Sequence, residues 1–205
     1  MLTIYNDDEN EYQQVEEPDA SVTYTYADYM QWKFKERLEL IKGKIMKLAA
    51  PATLHQKVCG NLYVELRSHL KGNPCFVFIA PFDVRLPVKD RKRDDQITTV
   101  VQPDLGVVCN ASKIDARGCC GAPDLVVEVL SPGNSKHEVR TKYEVYEEAG
   151  VKEYWLIHPT EQTVAVFLLN EQMKFDGARF YANGDTVKST AVTGFSVKAS
   201  EIFTN

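Results

Sequence analysis

The chain reads as a mixed α/β or α+β protein, and three observations lead there. Residues 125–130, LVVEVL, are apolar at every position but one, the pattern of a central strand covered on both faces. Two segments, one after Pro51 and one over 135–149, repeat apolar residues at helical spacing. Helix, strands, helix and strands then follow one another along the chain, with the sheet built around residues 98 to 130.

Taken in order, Tyr26 to about Phe34 predicts a short helix. RLELIKGKIMKLA predicts two strands around a turn at Lys42-Gly43. After Pro51, His55, Val58, Leu62, Glu65, Leu66 and Leu70 recur at helical spacing, and Gly72-Asn73-Pro74 ends the run. CFVFIAPFDVRLP is a strand interrupted near Pro81, KDRKRDDQ a charged solvated loop, and ITTVVQPDLGVVC a further strand region. Ser135 to Ala149 predicts a helix stopped by Gly150, with Val139, Tyr143 and Tyr146 along its buried side. EYWLIHP and TVAVFLL are strands joined by a turn. Additional short C-terminal strands are punctuated by FDG and NGD, the latter a hairpin signal.

Composition bounds the class. The chain has 205 residues, 44% of them hydrophobic and 26% charged, as in an ordinary soluble domain. No apolar run approaches the roughly 18 residues of a membrane span, and the N-terminus shows no secretory signal. The net charge of -5 is unevenly spread. Residues 1–20 hold seven of the 29 acids and no Lys or Arg, which predicts a flexible acidic arm ahead of a single domain over 21–205. That domain is then close to neutral and lacks the basic signature of a dedicated nucleic-acid binder. The five cysteines form no regular framework and predict reduced thiols in a cytoplasmic protein.

Glu128 is the residue that asks for an explanation. An isolated carboxylate in an apolar strand must be protonated, paired or bound to a cation. Asp104 follows Gln102-Pro103 at a strand boundary. If the two strands are neighbours, both acids reach one end of the sheet. Two such carboxylates repel unless a divalent cation joins them, and Mg²⁺ takes oxygen ligands of this kind. Lys142, on the following helix, can bring positive charge to the same end.

VQPDLGVV, APDLVVEVLSP, RTKYEVYEEAG and VKEYWLIHP together resemble the Uma-two family of putative restriction endonucleases, in the PD-(D/E)XK nuclease superfamily. The likeness runs from about residue 24 to 203. It implies a restriction-endonuclease-like core, with a mixed sheet flanked by helices. It also implies hydrolysis of DNA with Mg²⁺, for which Mn²⁺ can substitute, and cutting of both strands would favour a homodimer. Residue by residue, Asp104 matches the PD acid and Glu128 the acid of the (D/E)XK strand. The Lys expected two residues later is Leu130, so its role passes to Lys142. Asp104, Glu128 and Lys142 are therefore the expected catalytic residues, the two acids being the metal ligands.

Three weaker candidates have strong structural alternatives. Glu138 closes an S-x-x-E capping box with Ser135, and that role is preferred. His55 opens an otherwise apolar helical stripe, where a lone His is usually an anchor. Glu39 flanks a turn, and only the resemblance makes it a candidate. Asp124 reads as a turn residue, Cys119-Cys120 as an inert thiol pair, and the basic run 89–93 as solvated charge. The rival reading is a non-catalytic nucleic-acid-binding or interaction module that keeps the core. A hydrolase of small phosphate esters is a third.

Overall fold

The computed structural model describes residues 2–6, 11–15, 19, 21–88, 91–133 and 135–204. Its chain forms two compact units, Met1–Ala50 with Arg85–Val101, and Pro51–Val84 with Gln102–Asn205.

In the first unit, Leu38–Ile41 pairs antiparallel with Lys44–Lys47 around the expected turn. Lys42 and Gly43 there adopt positive φ of 51° and 78°, as a two-residue hairpin turn requires. Leu38–Ile41 is buried at every position, which places Glu39 inside this unit (1% exposed) instead of at an exposed turn flank. The helix at Tyr26 is shorter than expected, ending at Tyr29 behind a Thr25–Asp28 capping box. Arg85 is 2% exposed, with its guanidinium over the Tyr26 ring at 5.3 Å. In the expected acidic arm, Leu2–Asn6 and Glu11–Val15 pair as antiparallel strands, and Thr3 N donates to Glu36 at 2.9 Å. Asp7, Asp8, Glu9, Glu16 and Glu17 lie outside the described residues. Lys89 and Asp90 of the basic run do also, while Arg91 to Arg93 are exposed.

The second unit is a six-stranded mixed sheet between helices. Its elements are α1 (Thr53–His69), β1 (Phe76–Ile79), β2 (Leu105–Val108), β3 (Leu125–Val129), α2 (Lys136–Ala149), β4 (Glu153–His158), β5 (Thr163–Leu168), β6 (Arg179–Tyr181), β7 (Thr186–Lys188), β8 (Ser196–Lys198) and α3 (Ala199–Phe203). The sheet order is β6-β5-β4-β3-β2-β1. β3 and β4 are parallel and joined through α2, and the other neighbours are antiparallel. The central pair is thus β3 and β4, farther along the chain than the region around 98–130.

Alternation along the strands sorts two layers. Leu125, Val127 and Val129 of β3 join Trp155 and Ile157 of β4 in a core with Val58, Leu62 and Leu66 of α1 and Ile202 of α3. The opposite face carries Val126, Glu128, Tyr154 and Leu156, beneath α2. The helical period in α1 is confirmed, with His55, Val58, Cys59, Leu62 and Leu66 buried. In α2, Val145 and Tyr146 are the buried positions. Tyr143 is half-buried and sets its ring edge-on to Phe167 and Phe175, each at 5.2 Å. Gly150 ends α2 in the left-handed region, at φ 82°.

Three expectations are corrected here. NGD, residues 183–185, does not close a hairpin, because β6 stays in the large sheet while β7 pairs with β8. Helix α3 was not foreseen. Cys75 and Cys109, at the opposed ends of β1 and β2, form a disulfide, where reduced thiols were expected. Cys59, Cys119 and Cys120 are free thiols. Gly118 packs so closely on the Asp83 carbonyl, and at φ +120°, that any Cβ there would stand 2.2 Å from the oxygen. No helix among the described residues is long and apolar enough to cross a membrane.

Candidate active site

The register of the central strands brings the two expected acids together. Leu125, Val126 and Val127 of β3 stand opposite Val107, Gly106 and Leu105 of β2. One step further along the same register puts Asp104 across from Glu128. Pro103 brings no N–H to the ladder, and the Asp104 carbonyl accepts from Ala80 N at 3.1 Å. Asp104 turns its carboxylate on the end of β3, where Oδ2 accepts from Val129 N at 2.7 Å. Its side chain is 18% exposed and that of Glu128 is 15% exposed. Both carboxylates are therefore withdrawn from water without being sealed from it.

Each acid has a helix of its own. From α2, Lys142 Nζ donates to Glu128 Oε1 at 3.0 Å with its side chain only 12% exposed. One turn later, the Tyr146 hydroxyl donates to the same oxygen. The spacing of four residues stacks the two donors on one face of the helix. Lys142 thus belongs to the sheet-facing side and not to its edge. From α1, His55 Nε2 stands 3.2 Å from Asp104 Oδ2, so the structure brings this candidate to the site. Cys59, one turn along α1, has Sγ 3.8 Å from His55 Nδ1, and His55, Cys59 and Asp104 form a compact donor group.

Electrostatics report the same convergence. The Tyr154 hydroxyl is pushed well above the ordinary tyrosine range, first by burial and then by the charges of Glu128 and Asp104. Burial raises the Cys59 thiol too, with Asp104 and Glu128 adding to it. Burial lowers His55, and Glu128 opposes that shift. Two of these three groups feel both carboxylates.

Two further acids serve the scaffold. Glu138 is a cap: its Oε2 accepts from Ser135 N at 2.7 Å, and its own N donates to Ser135 Oγ at 3.1 Å. Asp124, read as a turn residue, is 5% exposed and holds strand ends, accepting from Cys109 N at 2.8 Å and Lys152 Nζ at 2.6 Å. Glu39 belongs to the first unit. Sequence reasoning treated Tyr146 as core alone and did not single out Tyr154 or Cys59. For Tyr146 the signal was available, since it lies four residues beyond Lys142.

A family profile described as "Putative restriction endonuclease", Uma2, matches residues 26–200. An uncharacterized protein of Synechocystis, slr1290, is 23% identical over 147 residues, spanning 70% of this chain and 73% of the relative. Among solved structures, the crystal structure of a putative nuclease belonging to DUF820, from Anabaena variabilis, is similar with a TM-score of 0.69 and 21% identity. That match covers 88% of this chain and 97% of the other, and it bears out the predicted fold class.

Proposed function

We propose, for a chain that belongs to the Uma2 family of putative restriction endonucleases, a divalent-metal-dependent endonuclease that hydrolyses phosphodiester bonds of DNA. The observation that carries the reading is Glu128. A half-withdrawn carboxylate faces Asp104 across two strands and takes a lysine and a phenol from one helix. The donor chemistry fits a hard divalent cation, which prefers carboxylate oxygens and completes its shell with water and phosphate. Asp104 and Glu128 are the residues that would hold it. When bound, Mg²⁺, or Mn²⁺ in its place, supplies a Lewis acid to the phosphate and lowers the pKa of water.

The rest is the work of the chain. Lys142 holds a cation beside Glu128, where it stabilises charge gathering on the phosphoryl oxygens. Tyr146 fixes the orientation of Glu128, while Val129 N and His55 fix that of Asp104. Water oxygen bonds to phosphorus and one ester P–O bond breaks, leaving a hydroxyl and a phosphate monoester. Cutting of both strands calls for a symmetric pair, so a homodimer is part of the proposal.

Relaxation of supercoiled plasmid in Mg²⁺ or Mn²⁺ tests it. Wild type should nick DNA, and Lys142→Met and Glu128→Gln should each be slower by about 100-fold or more, the scale of losing one preorganised group. Equal rates for wild type and Lys142→Met would remove the lysine from the mechanism. A wild type that binds DNA but cuts none tried would make the chain a binding module that keeps the nuclease core.

A further inference from the structure

Under α2, on the face of the sheet that carries Glu128, lies a cavity of about 410 Å³. Leu130, Leu156, Tyr143, Tyr154 and Phe167 wall it. Leu130 is two residues from Glu128 and so on the same side of the chain's extended path, which makes the cavity a neighbour of the carboxylates. The position where the resemblance expects a lysine thus supplies an apolar wall.

Three properties select an occupant. The volume lies in the range of small-molecule pockets, roughly 300–1,000 Å³. The walls are flat and aromatic, with Tyr154 stacked on Phe167 at 5.6 Å and Tyr143 edge-on to it, so a planar ring fits better than a branched chain. At the mouth stand Lys136, Arg140 and His158. Lys136 and Arg140 are exposed on the first turns of α2, with Arg140 also bonded to Glu144 at 2.8 Å. Their charge suits a phosphate attached to the ring.

We propose that this cavity receives one nucleobase of the substrate strand, unstacked from its neighbours, with the adjoining phosphate at Lys136 and Arg140. The inference rests on the nuclease reading and extends it. A strand that already exposes bases is then the preferred substrate, because unstacking costs least there.

Fluorescence anisotropy tests the cavity without cleavage. A labelled oligothymidylate is compared with an abasic oligomer of equal length and equal phosphate count, using the full chain. Wild type should bind the base-bearing strand at least tenfold more tightly. Val139→Trp, which fills the cavity from the half-buried side of α2, should bind both strands at the abasic level. Should that variant fail to fold, Leu156→Phe fills the same space from β4. Equal binding of the two strands by wild type, no binding of either, or a preference that survives in a folded filled variant overturns the proposal. Thymidine monophosphate that competes as well as the oligomer assigns the cavity to a free nucleotide and overturns the strand-base version. Plasmid relaxation run in parallel separates the two readings. A protein that prefers bases but never cuts keeps the cavity and loses the nuclease, and one that cuts without preferring bases does the reverse.

Discussion

Two glutamates on adjacent strands of one sheet, Glu128 on β3 and Glu153 on β4, have opposite fates. Glu153 is fully buried, and the partners that hold it are neutral. Its Oε1 accepts from Trp155 Nε1 at 2.5 Å, and its Oε2 from Ser189 Oγ at 2.9 Å and from Thr190 N and Ala191 N, both at 2.7 Å. Those donors come mainly from the segment after β7, so the carboxylate rivets that segment to the sheet. Glu128, on the other face, keeps partial exposure and takes Lys142 and Tyr146. Neutral, fixed donors around a sealed acid leave no place for a ligand. A lysine beside a partly exposed acid can give way to one. The surroundings of a carboxylate, more than its depth alone, separate scaffold from site.

The comparison breaks most visibly if each glutamate is removed. Glu153→Ala leaves an indole N–H, a hydroxyl and two backbone N–H groups without their acceptor. At about 1–3 kcal/mol for each buried group left unsatisfied, a loss on the order of 4 kcal/mol or more is expected. Urea denaturation should show it as a large fall in midpoint. Glu128→Gln keeps shape and most hydrogen bonding, so the same measurement should move by about 1 kcal/mol or less, while nicking falls by about 100-fold. If the two substitutions destabilise equally, Glu128 is scaffold as well.

A smaller step sharpens the role of the phenol. Tyr146→Phe removes one donor to Glu128 and leaves Lys142 in place. Loss of one hydrogen bond to a charged group, about 1.5 kcal/mol at the lower end of its range, predicts roughly tenfold slower nicking. A plasmid assay with no change would make Tyr146 a packing residue alone.

The smallest effect concerns a third carboxylate, at the surface of the first unit. Glu36 accepts from Thr3 N at 2.9 Å and Thr3 Oγ1 at 3.0 Å. The Thr3 backbone hydrogen bond is the main cause that holds the Glu36 carboxyl down at about 2, against an ordinary 4.5. A depressed carboxyl favours the folded contact above its unfolded value. The tie between Thr3 and Glu36 should therefore be complete above pH 4.5 and weaken as pH falls through about 2. The Thr3 amide resonance, followed by NMR, should titrate in that window for wild type and stay flat in Glu36→Gln.

Much of the central unit was legible in the sequence, for a physical reason. In β3, α2 and β4 the information is local: an apolar run for the strand, a capping box and a glycine stop for the helix, and a second apolar run. Glu128 stood out because it interrupts the first run. Lys142 and Asp104 followed from position relative to it. What escaped depends on distant partners or on very short elements. Helix α3 has five residues, too few to show a period. The NGD turn has hairpin chemistry, yet its flanking strands find partners in two different sheets. The sealing of Glu153 comes from groups 36 to 38 residues away, and no pattern around EYWLIH announces them. His55 reads as an anchor, because its contact with Asp104 spans two elements.

The sheet order, in which each strand lies beside its predecessor, has a consequence for how the molecule is made. Strands β1 to β6 can be added to a growing edge in the sequence in which a ribosome releases them, so none must be inserted between two already placed. Helix α2 connects the two parallel strands, and it needs both β3 and β4 beside each other before it has a surface to lie on. On this order of assembly, Lys142 and Tyr146 would reach Glu128 after β4 has docked. A nascent chain that ends before Glu153 carries both acids, but it lacks the strand that would settle the lysine against them. Assembly of the proposed site is thereby tied to completion of the centre of the sheet.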